Sequence, residues 1–110
     1  MSEEDVVIFK YPNPELESFL IPEKIAPPLV EHFKKPVGGD FDSRVKKLGA
    51  IGAQIVKETM AIAGVKELRI KPKEVMVKKE LWASWDEIET PILEILARAV
   101  RKKHIIVVKN

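Results

Sequence analysis

The chain has 110 residues, enough for one domain with its own core; 33% are charged and 45% hydrophobic, which excludes general disorder. Nineteen Lys and Arg against seventeen Asp and Glu leave a net charge of +2, too near balance for bulk electrostatic binding of nucleic acid. There is no cysteine, so disulfides, thiolate catalysis and cysteine-ligated clusters are excluded within this chain.

The first residues, Met1-Ser2-Glu3-Glu4-Asp5, are acidic and lack the basic-then-apolar order of a secretory signal. We expect 1–5 to be disordered. No apolar run approaches the roughly 20 residues of a membrane helix. A cytoplasmic location without membrane contact is the expectation. Val6-Val7-Ile8-Phe9 is β-branched and apolar, and predicts a strand. Tyr11-Pro12-Asn13-Pro14 breaks it, because proline lacks a donor and fixes φ. Ser18-Phe19-Leu20-Ile21 is a second short strand, closed by Pro22. From 23 to 42 the chain carries Pro27, Pro28, Pro36, Gly38 and Gly39. It reads as a long irregular connection with one helical turn around Leu29–Phe33.

Asp42 or Ser43 can cap the first helix. Apolar positions recur at Val45, Leu48, Ile51 or Gly52, Ile55, Val56, Met60 and Ile62, so one face is buried. Gly64 reads as its C-terminal stop. Leu68 and Ile70 alternate with charged residues, as do Val75 and Val77. Lys71-Pro72-Lys73-Glu74 between them is a turn, which predicts a hairpin. Ser84-Trp85-Asp86-Glu87 has the capping-box form. Ile88, Ile92, Ile95, Leu96, Ala99 and Val100 give the second helix its buried face, with Pro91 as a kink or a restart. Ile105-Ile106-Val107-Val108 is a last strand, which closes the sheet or leaves an edge open to another chain. The expected order is β-β-α-β-β-α-β. That order predicts a single α+β domain over 1–110 in two layers. Its mostly antiparallel sheet has about four to five strands, with two helices packed on one face.

Catalytic motifs are sparse. His32 and His104 lack a second histidine or carboxylate at helical ligand spacing, so no metal triad is visible. No serine lies in a Gly-x-Ser-x-Gly elbow. The carboxylate pairs Glu15/Glu17, Asp40/Asp42 and Glu87/Glu89 lie in turns or helix starts, where solvation is the usual role. Arg101-Lys102-Lys103 suits a helix C-terminus. A partner surface is the better candidate, built from Tyr11 and Asn13 in the proline turn, Trp82 and Trp85, and Lys78 and Lys79. One tryptophan should anchor the core, leaving the other partly exposed as a contact. A competing site is Gly49-Ala50-Ile51-Gly52 with Lys46 and Lys47 before it. It resembles the Gly-x-x-Gly loop of a KH domain, which implies clamping of single-stranded RNA.

Taken in order, several of these segments carry a family resemblance. Tyr11-Pro12-Asn13-Pro14 with Ser18-Phe19-Leu20, Met60-Ala61-Ile62-Ala63-Gly64-Val65, the hairpin from Leu68 to Lys79, and Trp85 with Pro91 follow one pattern. In this the chain resembles the N-terminal domain of the Nfu/NifU-type iron–sulfur scaffold proteins. The likeness spans most of Val6 to Val100. It departs in the glycine-rich stretch between Pro36 and Gln54, in lacking a small-Pro-Leu-Ala helix start near Ala53, and in the strand from Ile105 to Val108. The family's cluster chemistry resides in a separate domain with a Cys-x-x-Cys motif, for which this chain has no cysteine. The resemblance therefore implies a non-enzymatic accessory module that binds protein partners, including iron–sulfur assembly machinery. It implies no tightly bound cofactor and at most weak iron binding.

Overall fold

A computed structural model describes residues 4–101 and 104–109. β1 (Glu4–Lys10) and β2 (Leu16–Leu20) flank the proline turn and pair antiparallel, with Ile8 opposite Phe19. Glu4 and Asp5, expected to be disordered, belong to β1, because this end of the strand pairs along a neighbour; Met1 to Glu3 lie outside the described residues. β4 (Val65–Lys71) and β5 (Glu74–Lys79) make the second hairpin, with Lys71 opposite Glu74 across Pro72-Lys73. β2 pairs with β5, which joins the hairpins into one sheet. Val6, Ile8, Phe19, Leu68, Ile70, Val75 and Val77 are buried on one face, as period-two alternation requires.

The sheet has six strands in the order β3-β4-β5-β2-β1-β6, where the sequence predicts four to five. The addition is β3 (Glu31–Lys34), which lies inside the stretch expected to be irregular. It replaces the helical turn expected around Leu29–Phe33. Pro27-Pro28 before it and Pro36 after it favour extended backbone, and pairing with β4 supplies hydrogen bonds no isolated turn could match. Phe33 is the one buried residue of the four, so the segment carries only one apolar clue. The last strand, β6 (His104–Lys109), runs parallel to β1, so the sheet is mixed.

Among the described residues three helices form rather than two. The expected first helix is divided into α1 (Phe41–Lys46) and α2 (Gly49–Met60). Gly49 has φ of +80°, a left-handed conformation that ends one helix axis and begins another. Neither Asp42 nor Ser43 caps the start. Asp40 holds the cap position without a side-chain bond, and the Ser43 hydroxyl donates to the Asp40 carbonyl at 2.9 Å. Gly52, and not Ile51, completes the buried stripe with Val45, Leu48, Ile55, Val56 and Met60. A Cβ on Gly52 would lie 2.8 Å from the Ile25 carbonyl oxygen. Gly52→Ala is therefore expected to destabilise by about 1–3 kcal/mol, although alanine favours helices by ~1 kcal/mol elsewhere. A urea titration of the variant reads this sign directly.

The expected glycine stop is also corrected. α2 ends at Met60 with Ala61 in right-handed geometry, before Gly64 is reached. Gly64 serves close packing instead, since a Cβ there would lie 2.8 Å from both Ala83 Cβ and Ile88 Cδ1. α3 (Trp85–Val100) forms as one continuous helix through Pro91. Ser84 caps it by accepting from the Asp86 amide at 3.2 Å. Buried residues of α2 and α3 share one core with the inward face of the sheet, including Ile55, Ile88, Ile92 and Leu96. No helix among the described residues is long and apolar enough to cross a membrane.

Candidate functional site

The features with functional potential gather where β5 gives way to α3. A bulge between Val65 and Glu67 sets β4 off register and leaves Lys66 exposed. The Glu80 amide donates to the Gly64 carbonyl at 2.8 Å, and the Ala83 amide donates to Glu80 at 3.1 Å. These bonds close a tight turn with Leu81 and Trp82 at its tip, 78% and 71% exposed. Two large apolar side chains this open, next to each other on a fixed turn, are uncommon on a soluble surface.

The proline turn lies beside this tip. The Lys79 amide donates to the Glu15 carbonyl at 2.9 Å, and Trp85 Nε1 donates to the Pro14 carbonyl at 2.8 Å. The structure thus assigns the two tryptophans different duties. Trp85 is half-buried against the core and fastens the turn to α3; Trp82 is the open one. Asn13 behaves as a turn residue, its Oδ1 accepting from the Glu15 amide at 3.0 Å. Tyr11 stacks edge-on to Phe9, and its hydroxyl lies 2.8 Å from the Ser18 hydroxyl, which donates to Glu74. Lys79 reaches the Glu80 carbonyl at 3.2 Å. Lys35 also ends here, donating to the Ile62 carbonyl at 2.6 Å, and burial holds its amine below the usual lysine range.

Asn13, Trp85 and Lys79 are thus fastened around the turn that carries Trp82. Tyr11 and Lys78 do not join them; Tyr11 lies with Phe9 and Ser18 on the sheet face opposite the helices. Lys78 lies on that same face, 3.8 Å from Glu67, which also holds His32 at 2.8 Å. Leu81 and Lys35 were missed as candidates. The signal for Leu81 was an apolar pair, Leu81-Trp82, that fits neither the strand period before it nor the helix period after it.

The glycine pair does not form a nucleic-acid clamp. Gly49 opens α2, and Gly52 is buried within that helix against Ile25. A Gly-x-x-Gly clamp needs open backbone at both glycines, and here only the first is exposed. Lys46 and Lys47 are exposed where α1 ends. A cleft of about 480 Å³ beside them is lined by apolar residues, and its only charged group is Lys24. Among the described residues, no group of three or more His, Asp or Glu is placed to hold a metal ion. Lys102 and Lys103 lie outside the described residues, as does the His104 side chain.

A second cluster corrects the solvated role expected for the carboxylate pairs Glu15/Glu17 and Glu87/Glu89, because Glu17 lies in β2 with its side chain on the core side. Glu17 is 1% exposed, between the sheet and α3. Lys10 Nζ donates to Glu17 at 3.1 Å and to Glu89 at 3.3 Å, while Glu17 Oε1 has no hydrogen-bond partner. Burial raises the Glu17 carboxyl from 4.5 to about 7, helped by its contact with Glu89; the Lys10 ammonium offsets only part of this. Lys10 in turn is held above its ordinary value by the hydrogen bond to Glu17.

No known protein family matches the chain by sequence, and no curated protein does. Solved structures do match. A NifU-like protein from Saccharomyces cerevisiae aligns with a TM-score of 0.60 at 17% identity, covering 87% of this chain and 77% of that one. The crystal structure of protein SAV1430 from Staphylococcus aureus aligns at 0.57 and 16% identity, covering 80% and 92%. The solution structure of the same staphylococcal protein aligns at 0.54 and 16%, covering 89% and 91%. At these identities the likeness is one of backbone architecture, and in that sense the chain has a NifU-like fold.

Proposed function

We propose that this chain is a non-enzymatic accessory module that binds a protein partner through the Leu81–Trp82 turn and the adjoining proline turn. The observation that carries it is the pair of open apolar side chains on a backbone fixed by hydrogen bonds to Gly64 and Glu80. A rigid turn loses little entropy on binding, and tryptophan is among the commonest interface hot spots. The NifU-like fold supports a place for the partner in iron–sulfur cluster assembly or delivery. With no cysteine, the chain holds no cluster through thiolates, and ferrous iron is expected to bind weakly through carboxylates.

The test is affinity capture from native lysate with nuclease present, comparing the wild type with a Leu81→Asp/Trp82→Asp variant. Recovery of cluster-assembly or cluster-receiving proteins by the wild type, reduced about 30-fold in the variant, is the expected result. Equal recovery by both would refute this surface. Loss of every partner on nuclease treatment would refute the protein-partner reading. Tight stoichiometric iron in the purified protein would refute its cofactor-free part.

A further inference from the structure

The two edges of the sheet are built differently. β3 is four residues long, places Glu31, His32 and Lys34 around its single buried Phe33, and is followed by Pro36. Short length, charge and proline are the usual protections of an edge strand. β6 has none of them along Ile105-Ile106-Val107-Val108. It is six residues long, pairs among the described residues only with β1, and exposes Ile105 at 53%, Ile106 at 41% and Val108 at 54%. An apolar edge with free main-chain donors and acceptors is a template for another strand.

We infer that β6 pairs antiparallel with β6 of a second copy, about a two-fold axis at Val107. The intrachain register argues for this occupant. In the parallel β1–β6 pair, Val6 adjoins Ile106, Val7 adjoins Val107, Ile8 adjoins Val108, Asp5 adjoins Ile105 and Phe9 adjoins Lys109. Adjoining residues share a face. A two-fold at Val107 then sets Val107 against itself, which extends one row as Val7, Val107, Val107, Val7 across both copies. On the helix side, Ile8 and Val108 continue into Ile106 and Val6 of the second copy. Every inner row is apolar on both faces. The outer row runs Phe9, Lys109, then Ile105 and Asp5 of the second copy, which directs an ammonium toward a carboxylate. A two-fold at Ile106 would instead set Val108 opposite His104 and bring Asp5 of the second copy into the row of Val7, Val107 and Ile105. A one-residue slip would put opposite faces together. The result is a continuous twelve-stranded sheet, twice the six strands of one copy. This inference does not depend on the Leu81–Trp82 surface.

The joint is one strand long and smaller than a standard ~1,600 Å² interface, so a Kd on the order of 10–100 µM is expected. Sedimentation velocity across a concentration series should show a reversible monomer–dimer equilibrium. Val108→Lys, at an exposed position, should weaken it at least tenfold while leaving the thermal midpoint within a few degrees. Because the chain has no cysteine, single-cysteine variants report the register. Val107→Cys should form a disulfide dimer on mild oxidation, since paired residues across antiparallel strands are within bridging distance. Ile105→Cys, opposite Lys109, should not. A monomer at all concentrations up to about 1 mM would overturn the inference. So would an undiminished dimer of Val108→Lys, or equal cross-linking of the two cysteine variants.

Discussion

Phe33→Ala is expected to lower the unfolding free energy by about 3–5 kcal/mol and to release β3 and α1 together. Phe33 is 1% exposed and fills the core beneath an edge strand. Phe41, the first residue of α1, meets it edge-on with ring centroids 5.6 Å apart. Arg44 lies 4.6 Å over the same ring, and its guanidinium donates to Glu31 at 2.8 Å. One side chain thus organises an aromatic pair, a cation–π contact and the placement of a salt bridge. Truncation removes the floor from all three. Among the described residues β3 pairs in the sheet with β4 alone, and its other ties run to α1 through Arg44 and the Phe33 ring. A urea titration should show the loss in the midpoint. Hydrogen exchange should show protection falling in residues 31–34 and 41–46 before the rest of the sheet.

The second large effect is expected from pH. Glu17 is raised from 4.5 to about 7 in the folded chain, so folded protein binds this proton more tightly than unfolded protein does. The stabilisation is fully present below the unfolded value and is lost as pH rises through the folded one. A rise of that size corresponds to about 3 kcal/mol, lost between roughly pH 5 and pH 8. The physical cause is a carboxylate that must ionise under α3, beside Glu89, with one oxygen unpartnered and a single lysine as compensation. Glu17→Gln keeps the shape without the charge. Its unfolding midpoint should match the wild type near pH 5, exceed it at pH 8, and change little between. Denaturation curves at several pH values decide this. A wild-type profile that stays flat, or one that rises with pH, would contradict the assignment of a neutral Glu17 to the folded core.

Patterns that repeat locally could be read from the residues alone. Leu68, Ile70, Val75 and Val77 alternate around a Pro-Lys turn, and they form the β4–β5 hairpin because adjacent antiparallel strands need only a short connection. Ser84 followed by an apolar stripe forms a capped α3 because the cap and the stripe lie within a few turns of each other. The Tyr11–Pro14 turn, the last strand and the stripe from Val45 to Met60 were legible for the same reason. The family resemblance drew on these local segments in order, and the backbone likeness to a NifU-like protein agrees with it.

What the tertiary structure decided depends on residues far apart in sequence. β3 exists because β4 offers it a ladder more than thirty residues on, which one buried phenylalanine could not announce. The division between α1 and α2 follows from Gly49 adopting φ of +80°, whereas the apolar spacing runs through both helices as if they were one. Gly52 and Gly64 are glycine because Ile25, Ala83 and Ile88 approach them, so a suspected binding loop and a suspected helix stop both became packing contacts. Trp82 and Trp85 are three positions apart and look alike in sequence; the Pro14 carbonyl holds one inward and leaves the other in solvent. Glu17 resembles any strand-end carboxylate until α3 lies over it with Glu89. Local periodicity determined most of the elements this chain forms, with β3 and the division of α1 from α2 left to packing. Long-range packing determined which of its charged and apolar groups are left with something to do.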